Sequence, residues 1–523
     1  MVVSALLCLF SHAGAAGAGT RPNIVLIVAD DLGYGDLSSY GGTVATPNID
    51  ALATAGMRFT DFHASGPVCT PTRAALMTGR YPQRAQLTEA LSASATTGLD
   101  PNQITISSVL KKAGYRTGLV GKWHLGHLAQ FIPSRHSFDF FYGFRKGEID
   151  YVNHLDSLGE LDWWRNTAPE NVNVYSTTAI TREAVGFIQR NVQRPFFLFV
   201  SYQAPHVPYQ ALGSPPIRIP GQPKAASEGN PADYPAMVQA MDSGVGTVIN
   251  ALRTAHLEDN TLVFFLSDNG AFAPGTNYPL RGVKGGLYEG GHRVPAIAYW
   301  HGRIAPGVNR DTVATIDLLP TIMEVTAATT LAGHRLDGRS FLPLLFGQAA
   351  FLPSRQLFWM YQGNTAARDG SWKLTQIKGA TSLFDLDGNL GETTNLAQAY
   401  PDTVASLRAA TERWKADVNA KPPVTVSMTA TANGTTAPAT ISFSAEAASA
   451  EAIVRVEFWG DGKILSSDLT SPYSFDWQAV PAGTHTMRAK AFNVQGTVAT
   501  SKPATIVLTP PPAGQRTASL SLR

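Results

Sequence analysis

Cys69 opens the run Cys69-Thr-Pro-Thr-Arg73, in which a potentially reactive sulfur stands close to a guanidinium. The other cysteine of the chain, Cys8, lies in an N-terminal segment that has features of an export signal. If that segment is removed, Cys69 has no internal disulfide partner. A lone thiol in an exported chain is a liability unless it is buried, paired or chemically converted. A small buried core residue is the ordinary alternative, and the neighbours of Cys69 favour chemistry.

Further reactive or charged groups follow apolar runs that read as buried strands. The four runs span residues 23–29, 116–120, 195–200 and 261–266. The polar groups that follow them are, in the same order, Asp30 with Asp31, Lys122 with His124, His206, and Asp268 with Asn269. In open α/β sheets, ligands bind beyond the carboxyl ends of the strands. We therefore expect these side chains to meet at one edge of a sheet.

The oxygen-bearing members of this set suit a hard cation. Asp30, Asp31, Asp268 and Asn269 offer carboxylate and amide oxygens, which favour Ca²⁺ and, less readily, Mg²⁺. The sequence has no His/Cys set with zinc spacing, so zinc is disfavoured. A structural alternative exists for each pair, because Asp30-Asp31 could cap a helix and Asp268-Asn269-Gly270 could form a plain turn. Their occurrence together with Cys69 favours a metal site.

The nitrogen-bearing members suit an anionic substrate. Arg73, Lys122 and Lys284 can neutralise charge that is present on the substrate or develops during reaction. His124 and His206 are the candidate acid and base. An isolated lysine is usually solvated surface and a lone histidine is more often structural, so these residues gain weight only as a group.

The elements that must position these groups follow an α/β pattern. From Pro22 to about Val325, apolar runs alternate with amphipathic segments, which predicts a mostly parallel sheet flanked by helices. The helices are predicted at residues 46–56, 107–113, 177–190 and 234–255. We assign residues 21–340 to a catalytic α/β domain.

The remainder of the chain changes character twice. Residues 341–420 are predicted to form a small antiparallel subdomain, with hairpins at 368–373 and 383–388 and a closing helix. Lys421-Pro-Pro423 reads as a linker. Residues 424–510 have short alternating strands with turns at 460–462 and 481–483, which predicts a β-sandwich. This part resembles the immunoglobulin-like modules of secreted bacterial carbohydrate-active enzymes, and residues 511–523 are predicted to be a disordered tail.

Bulk composition excludes some functions. The formal net charge of the 523-residue chain is +2, and no basic stripe is present, so nucleic acid is a poor candidate partner. Residues 1–20 resemble a secretory signal peptide, although no Lys or Arg precedes the apolar run. The run is too short for a stable membrane anchor. We therefore expect a periplasmic or secreted protein.

The run from Cys69 to Arg80 resembles the signature of the type I sulfatases, which belong to the alkaline-phosphatase-like superfamily. That signature reads C-x-P-x-R followed by T-G-R, and here Thr72 stands where the family more often has Ser. Gly121-Lys-Trp-His124 resembles a second sequence element of the type I sulfatases. Lys284 matches a lysine that lies further along the sequence in that family. The resemblance covers roughly residues 22–415. It implies an alkaline-phosphatase-like α/β fold and conversion of Cys69 to formylglycine by a maturation enzyme.

The resemblance also implies roles for the other groups. Asp30, Asp31, Asp268 and Asn269, with the group derived from Cys69, would complete the shell of one Ca²⁺ ion. Arg73 would hold the formylglycine diol and Lys122 would neutralise sulfate charge. His124 would deprotonate the second hydroxyl, while His206, with Lys284, would protonate the leaving alcohol and contact the sulfate. Glu289, His292 and Arg293 are predicted to line the leaving-group side.

The predicted reaction is hydrolysis of a sulfate ester, of the arylsulfatase type and with a sulfated carbohydrate as the natural substrate. One diol hydroxyl attacks sulfur, and loss of the proton from the other expels the covalently held sulfate. A phosphomonoester or phosphonate monoester hydrolase of the same superfamily is one alternative. The other is a non-catalytic, glycan-binding surface protein that works through its C-terminal module.

Overall fold

The computed structural model describes residues 21–224, 229–330, 334–419, 424–449, 452–494 and 497–512. The predicted signal peptide, the predicted linker at 421–423 and most of the predicted tail lie outside these residues. The division into domains therefore stays a prediction at these boundaries.

The first part of the chain alternates strands with helices. Its strands are β1 (Asn23–Asp30), β2 (Met57–Phe59), β3 (Phe62–His63), β4 (Arg116–Lys122), β5 (Phe140–Phe144), β6 (Trp164–Arg165), β7 (Ala168–Pro169), β8 (Phe196–Pro205), β9 (Thr261–Ser267), β10 (Ala296–Tyr299), β11 (Gly307–Asn309) and β12 (Val313–Ala314). The α-helices of the described chain are α1 (Pro47–Ala55), α2 (Cys69–Thr78), α3 (Ile106–Lys112), α4 (Ser176–Arg190), α5 (Tyr234–Thr254), α6 (Glu289–His292), α7 (Leu318–Thr326), α8 (Leu342–Leu345) and α9 (Pro401–Asn419).

Ten described strands form one sheet in the order β11-β2-β10-β9-β1-β8-β4-β5-β6-β7. The five central strands, from β9 to β5, are parallel, and antiparallel pairs occur toward both edges. Every residue of β1 and β8 is buried, because helices cover both faces of the sheet. A strand that is covered on both faces consists of consecutive apolar residues, and for this reason these strands could be predicted from the sequence. The predicted mostly parallel α/β fold is confirmed.

A four-stranded antiparallel sheet follows, in the order β13-β14-β15-β16. Its strands are β13 (Gln356–Tyr361), β14 (Asn364–Asp369), β15 (Trp372–Ile377) and β16 (Ala380–Asp385). The predicted hairpin at 368–373 joins β14 to β15. The prediction at 383–388 is wrong, because the turn between β15 and β16 lies at Lys378-Gly379 and residues 386–388 leave the sheet. Leu407 and Trp414 of α9 pack on this sheet.

The C-terminal strands form two antiparallel sheets around a core of their own. Their bounds are β17 (Val424–Ala432), β18 (Ala439–Ser449), β19 (Ile453–Gly460), β20 (Lys463–Asp468), β21 (Tyr473–Val480), β22 (Gly483–Asn493), β23 (Val498–Thr500) and β24 (Ala504–Leu508). The predicted turns lie between β19 and β20 and between β21 and β22. Among the described residues, no helix combines the length and the apolar character that crossing a membrane requires.

Candidate active site at the strand ends

The carboxyl ends of the central parallel strands bring the predicted groups together. Asp30 ends β1, Lys122 ends β4, His206 follows β8 and Asp268 follows β9. Because these strands are parallel neighbours, their ends lie side by side at one edge of the sheet. We call the assembly the strand-end site; it comprises Asp30, Asp31, Cys69, Arg73, Lys122, His124, His206, Asp268, Asn269 and Lys284.

Cys69 is the first residue of α2 and is buried. Its Sγ lies 3.4 Å from Oδ1 of Asp30 and 3.3 Å from Nζ of Lys284. Burial raises the pKa of the Cys69 thiol to about 12, although Lys122 and Lys284 act in the opposite direction. A thiol in this state is a poor nucleophile at neutral pH, because the thiolate is the reactive form.

The predicted oxygen ligands contact one another. Asp31 adopts a left-handed backbone conformation with φ of 65°, and its Oδ1 accepts a hydrogen bond from Nδ2 of Asn269 at 2.7 Å. The backbone N–H of Asp31 donates to Oδ1 of Asp268 at 3.2 Å. Asn269 Oδ1 is buried and has no hydrogen-bond partner among the described residues. A buried acceptor without a partner is costly, so this oxygen is suited to a cation.

These residues fit a hard divalent cation. Asp30, Asp31 and Asp268 are all buried, and carboxylates this close repel one another unless positive charge lies between them. Burial and the charge of Asp30 raise the pKa of Asp268. Burial alone would also raise the pKa of Asp30, but Lys122, His206 and Arg73 hold it well below its usual value. The donor set is therefore oxygen-rich and anionic, as Ca²⁺ requires.

Three cationic side chains surround the carboxylates. Lys122 Nζ lies 2.6 Å from Oδ2 of Asp30, and Lys284 Nζ lies 2.7 Å from Oδ1 of Asp31. Arg73 donates from Nε to Oδ2 of Asp268 at 3.0 Å and from Nη1 to Oγ of Ser201 at 2.7 Å. The guanidinium is fixed from two sides, whereas each lysine contacts its carboxylate only through the ammonium group at the end of its side chain.

His124 has a left-handed backbone with φ of 55° and a buried ring. Its Nε2 lies 2.9 Å from the carbonyl oxygen of Leu91, and since a carbonyl can only accept, Nε2 carries the hydrogen. Burial and the neighbouring Lys122 hold the pKa of His124 well below its usual value. Nδ1 is then a free lone pair, and it has no partner among the described residues. This atom can accept a proton.

His206 has the opposite arrangement and lies nearer the solvent. Its Nδ1 donates to the carbonyl oxygen of Val207 at 2.7 Å. Its Nε2 lies 3.6 Å from Oδ2 of Asp31, and 11% of the side chain is exposed. Nε2 is therefore the ring nitrogen that carries the lone pair and faces Asp31.

Sequence reasoning missed two contributors to this geometry. Ser201, in β8, holds the Arg73 guanidinium, and the only sequence signal was a polar residue directly after the apolar run at residues 196–200. The second is the Leu91 carbonyl, which sets the tautomer of His124 and has no sequence signal, because any residue supplies a backbone carbonyl.

One predicted group lies elsewhere. Glu289, His292 and Arg293 do not line an open leaving-group side, because all three are buried where the α/β region meets the four-stranded sheet. They belong to a set that we call the buried charge cluster: Asp61, His63, Glu289, His292, Arg293, Arg368, Lys373 and Glu392. The sequence showed neither Arg368 nor Lys373 as their partners, since both come from β14 and β15.

The buried charge cluster is balanced without a metal ion. Lys373 Nζ can only donate to His292 Nε2, at 3.2 Å, so Nδ1 of His292 carries the hydrogen. That hydrogen faces Nδ1 of His63 at 3.1 Å, and Nε2 of His63 lies 3.0 Å from both Oδ1 of Asp61 and Nη1 of Arg368. His63, Glu289 and His292 lie close enough to hold a cation. Their lone pairs are already occupied, and three cations match the three carboxylates.

The comparisons with known proteins agree with this geometry. The sulfatase family model matches residues 22–328, and a bacterial Ig domain model matches residues 425–489. The chain is 33% identical to arylsulfatase G of Rattus norvegicus over 404 residues, covering 67% of this chain and 74% of that protein. It is 36% identical to N-acetylgalactosamine-6-sulfatase of Homo sapiens over 381 residues, covering 67% and 70%.

A solved structure extends the likeness to three dimensions. The crystal structure of Ps i-CgsB in complex with k-i-k-neocarrahexaose superposes with a TM-score of 0.70 at 31% identity, covering 76% of this chain and 93% of that one. The match to the sulfatase family model spans every residue of the strand-end site. The chain belongs to the sulfatase family and is a sulfuric ester hydrolase with an appended bacterial Ig domain.

Proposed function

We propose that the strand-end site hydrolyses sulfate esters through a formylglycine derived from Cys69, with one Ca²⁺ ion bound beside it. The observation that carries this proposal is the position of Cys69, whose Sγ lies within 3.4 Å of both Asp30 and Lys284 in a buried, anionic donor set. An unconverted thiol with a raised pKa is a poor nucleophile there, which is the physical reason to expect conversion. Conversion requires a maturation enzyme in the producing cell.

Formylglycine supplies a hydrated aldehyde with two hydroxyl groups, one to attack sulfur and one whose deprotonation lets sulfate depart. Arg73 would hold this group, since Asp268 and Ser201 already fix the guanidinium beside Cys69. Nδ1 of His124, a buried lone pair, would take the proton of the second hydroxyl. Nε2 of His206 would give a proton to the leaving alcohol, because it is the more exposed ring nitrogen of the two histidines.

Asp30, Asp31, Asp268 and Asn269 would hold the Ca²⁺ ion. A bound cation supplies positive charge that lowers the proton affinity of a neighbouring oxygen. In its presence the carboxylates need less neutralisation by lysine. Lys122 and Lys284 would then be free to bind the oxygens of the sulfate group.

The substrate that we propose is a sulfated carbohydrate. One curated relative is named for N-acetylgalactosamine, and one solved relative was crystallised with k-i-k-neocarrahexaose. The bacterial Ig domain match at residues 425–489 is consistent with a secreted or periplasmic enzyme, which is also what the first 20 residues predict.

Peptide mass spectrometry of the purified protein, combined with kinetics, tests the proposal. We expect the tryptic peptide with Cys69 to carry the lighter formylglycine in proportion to specific activity. We also expect a sulfate monoester to be turned over faster than the matching phosphate monoester. A fully active protein with an unmodified thiol at Cys69 would disprove the mechanism, and preference for the phosphate ester would disprove the substrate class.

A further inference from the structure

Lys284 lies on a loop that is closed at its neck. Residues 281–290 comprise the last part of the connection from β9 to α6 and the first two residues of α6. The backbone N–H of Gly290 donates to the carbonyl oxygen of Arg281 at 2.7 Å. A Cβ atom at Gly290 would lie 2.5 Å from the carbonyl oxygen of Gly282, so only glycine allows the two ends to meet this closely. The loop is therefore a compact unit, and its neck is one of the places where the position of Lys284 is set.

Both ends of that neck are fastened to one residue, Glu392. The carboxylate Oε2 of Glu392 accepts a hydrogen bond from the backbone N–H of Glu289 at 2.6 Å. The carbonyl oxygen of Glu392 accepts a hydrogen bond from Nη1 of Arg281 at 2.7 Å. Glu392 is completely buried and has a left-handed backbone with φ of 51°. Its side chain is held in turn by Lys373, whose Nζ lies 3.0 Å from Oε1.

The far end of the loop reaches the strand-end site. The N–H of Lys284 donates to the carbonyl oxygen of Ala271 at 3.2 Å, and the N–H of Gly285 donates to that of Pro67 at 2.8 Å. These contacts place Nζ of Lys284 between Asp31 and Cys69. Glu392 comes after residue 328, where the match to the family model ends.

We propose that Glu392 is a positioning residue, which fixes the neck of the 281–290 loop and thereby aims Lys284 at the sulfate group. The proposal rests on the function proposed above, in which Lys284 binds sulfate. Glu392 does not contact the reacting atoms. Its carboxylate acts through the backbone of Glu289, which is the contact that a side-chain substitution removes, whereas its backbone carbonyl holds Arg281 in every variant.

The test is a double-mutant cycle with p-nitrophenyl sulfate as substrate and inorganic sulfate as a competitive inhibitor. Misplacing a binding group by about 1 Å costs about 100-fold, so we expect Glu392→Ala to lower kcat/KM by about 10- to 100-fold and to weaken inhibition by sulfate. Glu392→Gln keeps an oxygen that can accept from Glu289 N–H, so it should lose less. Lys284→Ala combined with Glu392→Ala should be no worse than Lys284→Ala alone.

Thermal unfolding separates positioning from loss of structure, and the exposed Glu412→Gln, on α9, is the matched control that should behave as wild type. If Glu392→Ala does not fold, the same double-mutant cycle with Lys284→Ala is measured with Glu392→Gln instead. Additive losses, or full activity in a folded Glu392 variant, would overturn the positioning role. If Lys284→Ala itself leaves both hydrolysis and sulfate inhibition unchanged, the proposed role of Lys284 in sulfate binding fails instead.

Discussion

The strand-end site and the buried charge cluster are built from the same residue types but differ in how their polar atoms are satisfied. In the cluster, all four ring nitrogens of His63 and His292 have partners. In the strand-end site, Asn269 Oδ1 and His124 Nδ1 are buried without a partner among the described residues. The paired histidines of the cluster contribute to packing, whereas the two unpaired atoms of the strand-end site lie among the predicted metal and proton-transfer groups, where a bound ion or substrate would pair with them. Burial and charge alone would not have told the two apart.

The largest expected effect is the loss of activity when Cys69, in the strand-end site, is replaced. Cys69→Ala should lower kcat/KM by more than about 10⁴-fold, because it removes the group that reacts. The free energy of unfolding should change little, since the side chain is small. Steady-state hydrolysis of p-nitrophenyl sulfate and urea unfolding would measure the two quantities. The control is Thr72→Ser, which restores the commoner residue of the family signature and should stay active; substantial activity in Cys69→Ala would contradict the assignment of the nucleophile.

Metal removal should affect the strand-end site and leave the cluster unchanged. Chelation should abolish most activity and lower Tm, and Ca²⁺ should restore both, because a ligand at about 100 times its Kd stabilises by about 2.7 kcal/mol. Asn269→Ala should weaken the dependence on Ca²⁺, measured as the shift of Tm with added ion. The exposed Asn102→Ala should respond as wild type does. Full activity and an unchanged Tm after exhaustive chelation would contradict the metal site.

A substitution in the buried charge cluster tests whether the cluster stabilises the fold. Lys373→Met removes the cation that pairs with Glu289 at 2.9 Å and Glu392 at 3.0 Å. Glu289 keeps Arg293 at 3.1 Å, so the substitution leaves the buried carboxylate of Glu392 without compensation. Breaking a buried ion pair in this way costs about 3–5 kcal/mol. Urea unfolding measures the loss, with the half-buried Lys415→Met on α9 as the control. A change below about 1 kcal/mol would show that the cluster is not a structural network.

The smallest expected effect is a change in how the free energy of unfolding of the protein depends on pH. Burial and Lys373 hold the pKa of His292 well below its usual value, and burial lowers that of His63. The unfolded chain therefore binds more protons than the folded chain below about pH 6.5, so stability falls as pH falls through this range. His292→Gln should reduce the slope by at most about 1.4 kcal/mol per pH unit.

Urea unfolding between about pH 5 and pH 7 measures that slope. The matched control is the exposed His256, which has a left-handed backbone with φ of 55° that asparagine tolerates. His256→Asn should keep the wild-type slope. An identical slope in His292→Gln would show that this histidine is not neutral in the folded protein.

The sequence alone determined the α/β fold and the groups at the strand ends. Buried parallel strands have consecutive apolar residues, and the residues that follow them must lie at one edge of the sheet. Asp30, Lys122, His206 and Asp268 could therefore be placed before any coordinates were known. The signature around Cys69 indicated which of these groups would react.

Only the tertiary structure decided which polar atoms are paired. Two partners of Glu289, Arg368 and Lys373, lie on β14 and β15, about 80 residues further along the chain, and no local pattern marks such a contact. The same holds for the fastening of the Lys284 loop by Glu392 and for the tautomer of His124, which a backbone carbonyl sets. Strand order and spacing along the chain determine the position of each residue's backbone. The packing of distant segments determines whether the polar atoms of its side chain have hydrogen-bond partners.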